Sequence, residues 1–302
     1  MASIRDIKRR IRGVENIQQI TRAMKMVAGA RLKRAQDRLV AMRPYARHTA
    51  ALAHHVMRYA DTHTIPLLSP PATDAPPSIV LFSSDRGLCG AFNGNLIRAC
   101  TKVLGETART GREASLSVVG HKGYAFFRRR IARKRIEKVK LQAWSEVSAL
   151  SSPGAFSRIA GNIEREIAAG KSSGLVVIYA LFRSVMKQEV VVRKLVPLEA
   201  DEIRPLLDNV EPDEEWHPET EPEEQELVRA VFTRFLAAQL YRAAVENWTS
   251  ELGARMTAMD AATRNAEELT DRLTLDYNKA RQAAITREIV DITGGAEALR
   301  QL

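Results

Sequence analysis

Along residues 3–58 the apolar positions Ile4, Ile7, Ile11, Val14, Ile17, Ile20, Met24, Val27, Leu32, Ala35, Leu39 and Met42 recur at spacings of mostly three or four. That period predicts a helix. The stripe slips between Val14 and Ile20, and Pro44 predicts a kink or break. At about 1.5 Å per residue the helix would be roughly 80 Å long. Globular helices seldom run past about 25 residues without a stop signal, so length and stripe together predict a coiled coil.

The period then changes. The Pro-rich stretch PLLSPPATDAPPS (66–78) cannot continue a helix. SIVLF (78–82) and SLSVVG (115–120) read as buried strands. GLVVIYALF (174–182) and QEVVVRKLVPL (188–198) read as strands close enough for a hairpin. Residues 95–109 and 155–170 read as helices between them, and RRRIARKRIEKVKL (128–141) fits either state. Strands alternating with helices predict an α/β sandwich, parallel at its centre.

DNVEPDEEWHPETEPEE (208–224) holds nine acids, no Lys or Arg and three prolines, and reads as a solvated connector. No proline follows, so a second helix over about 225–292 could span roughly 100 Å. From Leu252 a seam alternates by four and three through Met256, Met259, Thr263, Ala266, Thr270, Leu273, Tyr277, Ala280 and Ala284. It is an a/d pattern, light and polar for one. Neither long helix can bury its stripe within the α/β segment. Pairing them antiparallel sets residue 58 near 225 and residue 4 near 280. The end of the second helix, with Ile285, Ile289 and Ile292, then overhangs its partner and needs another protein around it. The expected segments are a helix over 1–60, a linker over 61–78, an α/β domain over 79–207, a connector over 208–224 and a helix over 225–302.

Charge adds one constraint. The net charge of the 302 residues is +10, and residues 1–60 hold 14 Lys and Arg against three acids. A basic helix can meet nucleic acid, an anionic membrane or an acidic protein surface, or face solvent. Two cysteines, Cys89 and Cys100, exclude a disulfide scaffold and match no zinc motif. No apolar run is long enough to span a bilayer, and MASIRDIKRR lacks the apolar core of a secretory signal.

Candidate chemistry is sparse. SSDRGLCG (83–90) follows a strand and precedes a helix, where a loop can cradle phosphate. Its glycines miss the dinucleotide fingerprint, no P-loop lysine follows, and Cys89 has no evident His partner, so a structural turn is expected. The basic stretch 128–140 lacks interleaved aromatics and a nucleic-acid module. His54 and His55 have no spaced carboxylate partner. The residues read as a non-enzymatic, elongated, partner-dependent protein. The rival classes are a basic coiled-coil nucleic-acid binder and a small α/β enzyme.

IRDIKRRIRGVENIQQITRAMKMVAGARLKRAQ, SSDRGLCGAFN and ARMTAMDAATRNAEEL…YNKARQAAITREIVDITGGAEAL, in that order, closely resemble the gamma subunit family of F-type ATP synthase. The resemblance implies a long antiparallel coiled coil of N- and C-terminal helices plus a middle Rossmann-like α/β domain. It implies a central rotor shaft inside a ring of alpha and beta subunits, with the foot on epsilon and the membrane c-ring and with delta in the same complex. Proton flow would turn the c-ring and the shaft with it and cycle the beta subunits. Catalysis would lie on beta, and no cofactor, metal or nucleic acid is expected on this chain. Motif by motif, the resemblance implies contacts to beta by Met24, Arg255, Arg281, Gln282, Thr286 and Glu288. Glu211 and Pro212 would stand at the c-ring contact. Cys89 and Cys100 are not the close cysteine pair of the photosynthetic members. A first helix that begins at once implies a bacterial protein, peripheral on the cytoplasmic face of the inner membrane.

Overall fold

The computed structural model describes residues 3–59, 65–69, 74–144, 147, 152–198, 203 and 224–300. Among them the chain forms α1 (Ile4–Tyr59), β1 (Ser78–Phe82), α2 (Phe92–Arg109), β2 (Ala114–Val119), α3 (His121–Ala132), β3 (Val139–Ala143), α4 (Pro153–Ala168), β4 (Leu175–Phe182), β5 (Gln188–Val196) and α5 (Glu224–Arg300). The chain divides into two compact units. One holds residues 29–255, the other residues 1–28 and 256–302. Helices α1 and α5 each contribute to both.

The larger unit is built on a five-stranded sheet of order β3-β2-β1-β4-β5. Neighbours among β3, β2, β1 and β4 are parallel, and β5 returns antiparallel on β4. Strands buried on both faces read as continuous apolar runs, as SIVLF and LVVIYALF do. Alternate residues divide between two cores. Ile79, Leu81, Leu116, Val118 and Ile178 meet α2 and Phe127 of α3. Helix α2 reaches them through Phe92, Leu96, Cys100 and Leu104, a row at spacing four. On the other face Val80, Phe82, Val119, Val177 and Tyr179 meet α4, α1 and α5. Pro153, with its φ already set for a helix, stands in the first turn of α4, which buries Phe156, Ala160, Ile163 and Ile167.

In this unit α1 supplies Leu39, Met42, Ala46, Ala50 and Ala53, and α5 supplies Phe232, Phe235, Leu236 and Leu240. The two helices run in opposite directions. Arg38 Nε donates to Tyr241 Oη at 2.8 Å and Gln239 Nε2 to the Ala46 carbonyl at 3.4 Å. Pro44 does not break α1. A proline removes one backbone donor inside a helix, and here Met42 and Ala46 on either side are buried against the core, which holds the helix together across it.

In the smaller unit Thr263 Oγ1 donates to Thr21 Oγ1 at 2.8 Å, and Lys25 Nζ to Asp260 Oδ1 at 2.5 Å. The seam of α1 differs from the apolar stripe read in the sequence. Ile17, Ile20 and Val27 are more than half exposed, whereas Thr21 and Ala28 are buried. A heptad fixes the reason. Positions 7, 11, 14, 18, 21, 25 and 28 alternate by four and three without a slip. Keeping that phase puts Thr21 inward, where its hydroxyl bonds Thr263 and donates to the Gln18 carbonyl. The seam of α5 lies where the spacing put it, with Met259, Thr263 and Ala266 buried and Thr270, Leu273, Tyr277 and Ala280 partly covered. From Arg281 to Thr293 every residue is exposed.

The basic stretch 128–141 divides between the last turns of α3, a turn with Lys134 and Lys138 at positive φ, and β3.

Candidate functional site

The loop after β1 is a cap. Ser83 Oγ donates to the Val119 carbonyl at 2.9 Å and accepts from the Gly123 amide at 3.1 Å. Asp85 Oδ1 accepts from the His121 amide at 3.0 Å, and the Ser84 carbonyl from the Lys122 amide at 2.9 Å. The first free amides of α3, the donors a phosphate would need, are therefore taken by this loop. Gly120 at φ 95° lets Ser83 approach, since a Cβ there would lie 2.4 Å from the Ser83 carbonyl oxygen. Cys89 is buried and its sulfur accepts from Asn93 Nδ2 at 3.2 Å. Burial pushes its thiol up, and that of Cys100 up to about 12. Neither is placed to act as a thiolate nucleophile.

A cavity of about 270 Å³ at the carboxyl ends of β1 and β2 is bordered by Ser84, Asp85, Gly120, Glu251 and Arg255. In parallel α/β sheets ligands bind in that region. Here α5 crosses it. Arg255 pairs with Glu251 and donates to the Gly87 carbonyl at 3.2 Å and the Arg86 carbonyl at 3.4 Å. Burial pushes the Glu251 carboxyl up, and the Arg255 guanidinium draws it back down. Arg255 is thus held inward by its own chain, with its side chain 14% exposed.

The other expected contact residues lie in the smaller unit. Met24 is half-buried, beside the Lys25–Asp260 pair. The register of that pair places it about 20 residues along α5 from Arg281, roughly 30 Å. Arg281, Gln282, Thr286 and Glu288 are exposed, on a stretch of α5 that no other helix covers among the described residues. At 100° per residue, Arg281, Ile285, Glu288 and Ile292 share one face, and Gln282, Thr286 and Ile289 the adjacent one. Ile285, Ile289, Val290 and Ile292 are 49–65% exposed. This mixed polar and apolar surface suits a protein partner. Glu211 and Pro212 lie outside the described residues.

Two polar features escaped the sequence reading. One is the Thr21–Thr263 and Lys25–Asp260 pair of rungs. The other is Glu246, Asn247 and Ser250, all buried on α5. Polar residues at i, i+1 and i+4 on an otherwise apolar helix face were the available signal. Among the described residues no group of three or more His, Cys, Asp or Glu side chains is placed to hold a metal, and no helix is long and apolar enough to cross a membrane.

Two long terminal helices carrying exposed apolar residues, together with an α/β domain on a mostly parallel sheet, define the class. The family model described as ATP synthase matches residues 3–299. The ATP synthase gamma chain of Geobacter metallireducens is 37% identical over 302 residues, covering 99% of this chain and 100% of its own. That of Burkholderia cenocepacia is 35% identical with the same coverage. A chain in the cryo-EM structure of Euglena gracilis mitochondrial ATP synthase shares the fold at TM-score 0.63 and 18% identity, over 98% of this chain and 94% of that one. A chain of the Tetrahymena thermophila central stalk and c-ring shares it at TM-score 0.56 and 24% identity, over 80% and 99%. The chain belongs to the ATP synthase gamma chain family.

Proposed function

We propose that this chain is the rotor shaft of an F-type ATP synthase, coupling ion flow through the membrane c-ring to conformational cycling of the catalytic beta subunits. The observation that carries the reading is the stretch of α5 from Arg281 onward, exposed on every residue up to Thr293. A helix that leaves Ile285, Ile289 and Ile292 in water is completed by a surrounding protein, and a ring of alpha and beta subunits provides one. α1 and α5 act as an antiparallel coiled coil. The sheet order 3-2-1-4, with helices on both faces, supports a Rossmann-like foot. The foot meets epsilon and the c-ring, with Glu211 and Pro212 at the latter, and delta belongs to the same complex. The bacterial relatives support a site on the cytoplasmic face of the inner membrane. Neither the nucleic-acid binder nor the α/β enzyme gains an observation of its own.

Met24, Arg255, Arg281, Gln282, Thr286 and Glu288 are the proposed contacts to beta. Arg281 offers a planar fork of donors and Gln282 both a donor and an acceptor, with Ala280, Ala283 and Ala284 leaving room beside them. A charge-assisted contact contributes about 1.5–3 kcal/mol. That is enough to favour one beta conformation and still be broken at each step. Arg281→Ala with Gln282→Ala is expected to lower ATP turnover and coupled pumping in a complex that still assembles. Turnover and pumping equal to wild type, with the substituted chain shown to be present, would remove both residues from the mechanism.

A further inference from the structure

Strand β4 outruns its neighbour. β1 pairs with it only as far as Leu81 opposite Ile178, then leaves at Phe82 to form the cap of α3. β4 continues to Phe182, paired with β5 alone on its other side. Backbone groups left bare at a buried strand edge must find partners. Here α5 supplies them from side chains. Asn247 Oδ1 accepts from the Ala180 amide at 3.1 Å, Ser250 Oγ donates to the Ala180 carbonyl at 3.0 Å, and Glu246 Oε2 accepts from the Phe182 amide at 2.9 Å. The other Glu246 oxygen meets Arg43 of α1 at 3.4 Å, so one fully buried carboxylate joins the sheet and both long helices. One turn further, Gly253 lies against the β4–β5 hairpin, where an added Cβ would touch Phe182 and Gln188 at 3.4 Å. Residues 246, 247, 250 and 253 follow one helix face.

Elsewhere in this unit α5 meets the core through apolar side chains such as Phe232, Phe235, Leu236 and Leu240 and through polar contacts to α1, α4 and the capping loop, whereas Glu246, Asn247 and Ser250 bond the backbone of β4 itself. Apolar burial is not directional and by itself does not fix the rotation of a helix about its axis. Hydrogen bonds to backbone rungs at fixed spacing do. We propose that Glu246, Asn247 and Ser250 are positioning residues that lock the rotational phase of α5 against the sheet, so that torque passes between the α/β domain and the helix without slip. The inference rests on the rotor reading, deepens it, and assigns a mechanical role to residues remote from the exposed end of α5.

The test uses the assembled complex in inverted membrane vesicles. ATP hydrolysis is measured with a protonophore, when the rotor carries no load, and ATP-driven acidification is measured without it. For Asn247→Leu with Ser250→Ala, unloaded hydrolysis is expected to stay near wild type. The acidification sustained per ATP hydrolysed is expected to fall by at least about fivefold, the factor that one net hydrogen bond represents, since two such bonds are removed. Asn247→Asp, which keeps an acceptor for the Ala180 amide, is expected to restore it. If the double variant does not assemble, Ser250→Ala alone is read in the same way. Acidification per ATP equal to wild type overturns the proposal. So does a parallel fall of loaded and unloaded activity with the amount of complex, which is what a purely structural role gives. Wild-type vesicles that hydrolyse ATP without acidifying would overturn the rotor reading and this inference with it.

Discussion

Glu164 of α4 is 5% exposed and takes two donors from α5. Arg229 Nε bonds one oxygen and Thr233 Oγ1 the other, the latter at 2.6 Å. The two ends differ, because the Arg229 side chain is 61% exposed and the Glu164 side chain 6%. Arg229→Ala strands a buried carboxylate with one hydroxyl for company. Breaking a fully buried pair from one side costs about 3–5 kcal/mol. With the arginine mostly in water, about 2–3 kcal/mol is expected here. Glu164→Gln keeps shape and one acceptor for Arg229, and Thr233 can donate to the Arg229 carbonyl and accept from the new amide, so it should cost about 1 kcal/mol. Removing the carboxylate as well, in Arg229→Ala with Glu164→Leu, should recover at least about 1 kcal/mol relative to Arg229→Ala alone. Urea unfolding of the full chain, followed by the fluorescence of half-buried Trp248, gives the ranking. An Arg229→Ala midpoint no lower than that of Glu164→Gln, or a double variant no more stable than Arg229→Ala, would refute the reasoning.

Gly120→Ala should destabilise the chain by at least about 2 kcal/mol, since φ is 95° and the new Cβ would meet the Ser83 carbonyl oxygen at 2.4 Å; a melting curve equal to wild type would contradict this. Cys89 and Cys100 are buried with thiols pushed up by desolvation, so a thiol reagent at neutral pH should react with both only after urea unfolding, and prompt reaction of either in the native chain would count against their placement. The Asp260 carboxyl is held below its ordinary value of 3.8, first by its bond from Lys25. A carboxyl depressed in the fold contributes stability above its unfolded pKa and loses it as pH falls through the folded one. Helicity should therefore fall more steeply below about pH 4 in wild type than in Asp260→Asn, and superimposable circular-dichroism titrations would exclude the linkage.

Much of the fold was legible because two periods carry it. The run of spacing four and three from Leu252 to Ala280 marked the seam of α5, and alternation of short apolar runs with helical ones marked the sheet. Legibility failed where apolar content and phase disagree. Ile17 and Ile20 look like seam residues by composition, yet the heptad passes through Thr21, whose hydroxyl is satisfied by Thr263. It failed again at 128–141, where cations dominate. They suit the last turn of α3, where the helix dipole favours positive charge, and then an edge strand, β3, with a mostly exposed surface. Neither environment imposes an apolar period that could be read.

The exposed stretch of α5 was legible for a different reason. A single chain can show where burial ceases, and helix α5 loses its cover after Ala280 without losing its isoleucines. The exposure is read from one chain, and no residue of that chain alone encodes what would cover it. The same limit explains Arg255. Its place in the resemblance suggested an outward contact, whereas its guanidinium is held by Glu251 and two carbonyls of the capping loop. An arginine fixed in that way holds the loop 86–87 in place, and the polar row at Glu246, Asn247 and Ser250 ends only five residues before it. Within the larger unit Glu246, Asn247, Ser250 and Arg255 thus give α5 directional bonds to strand β4 and to the capping loop.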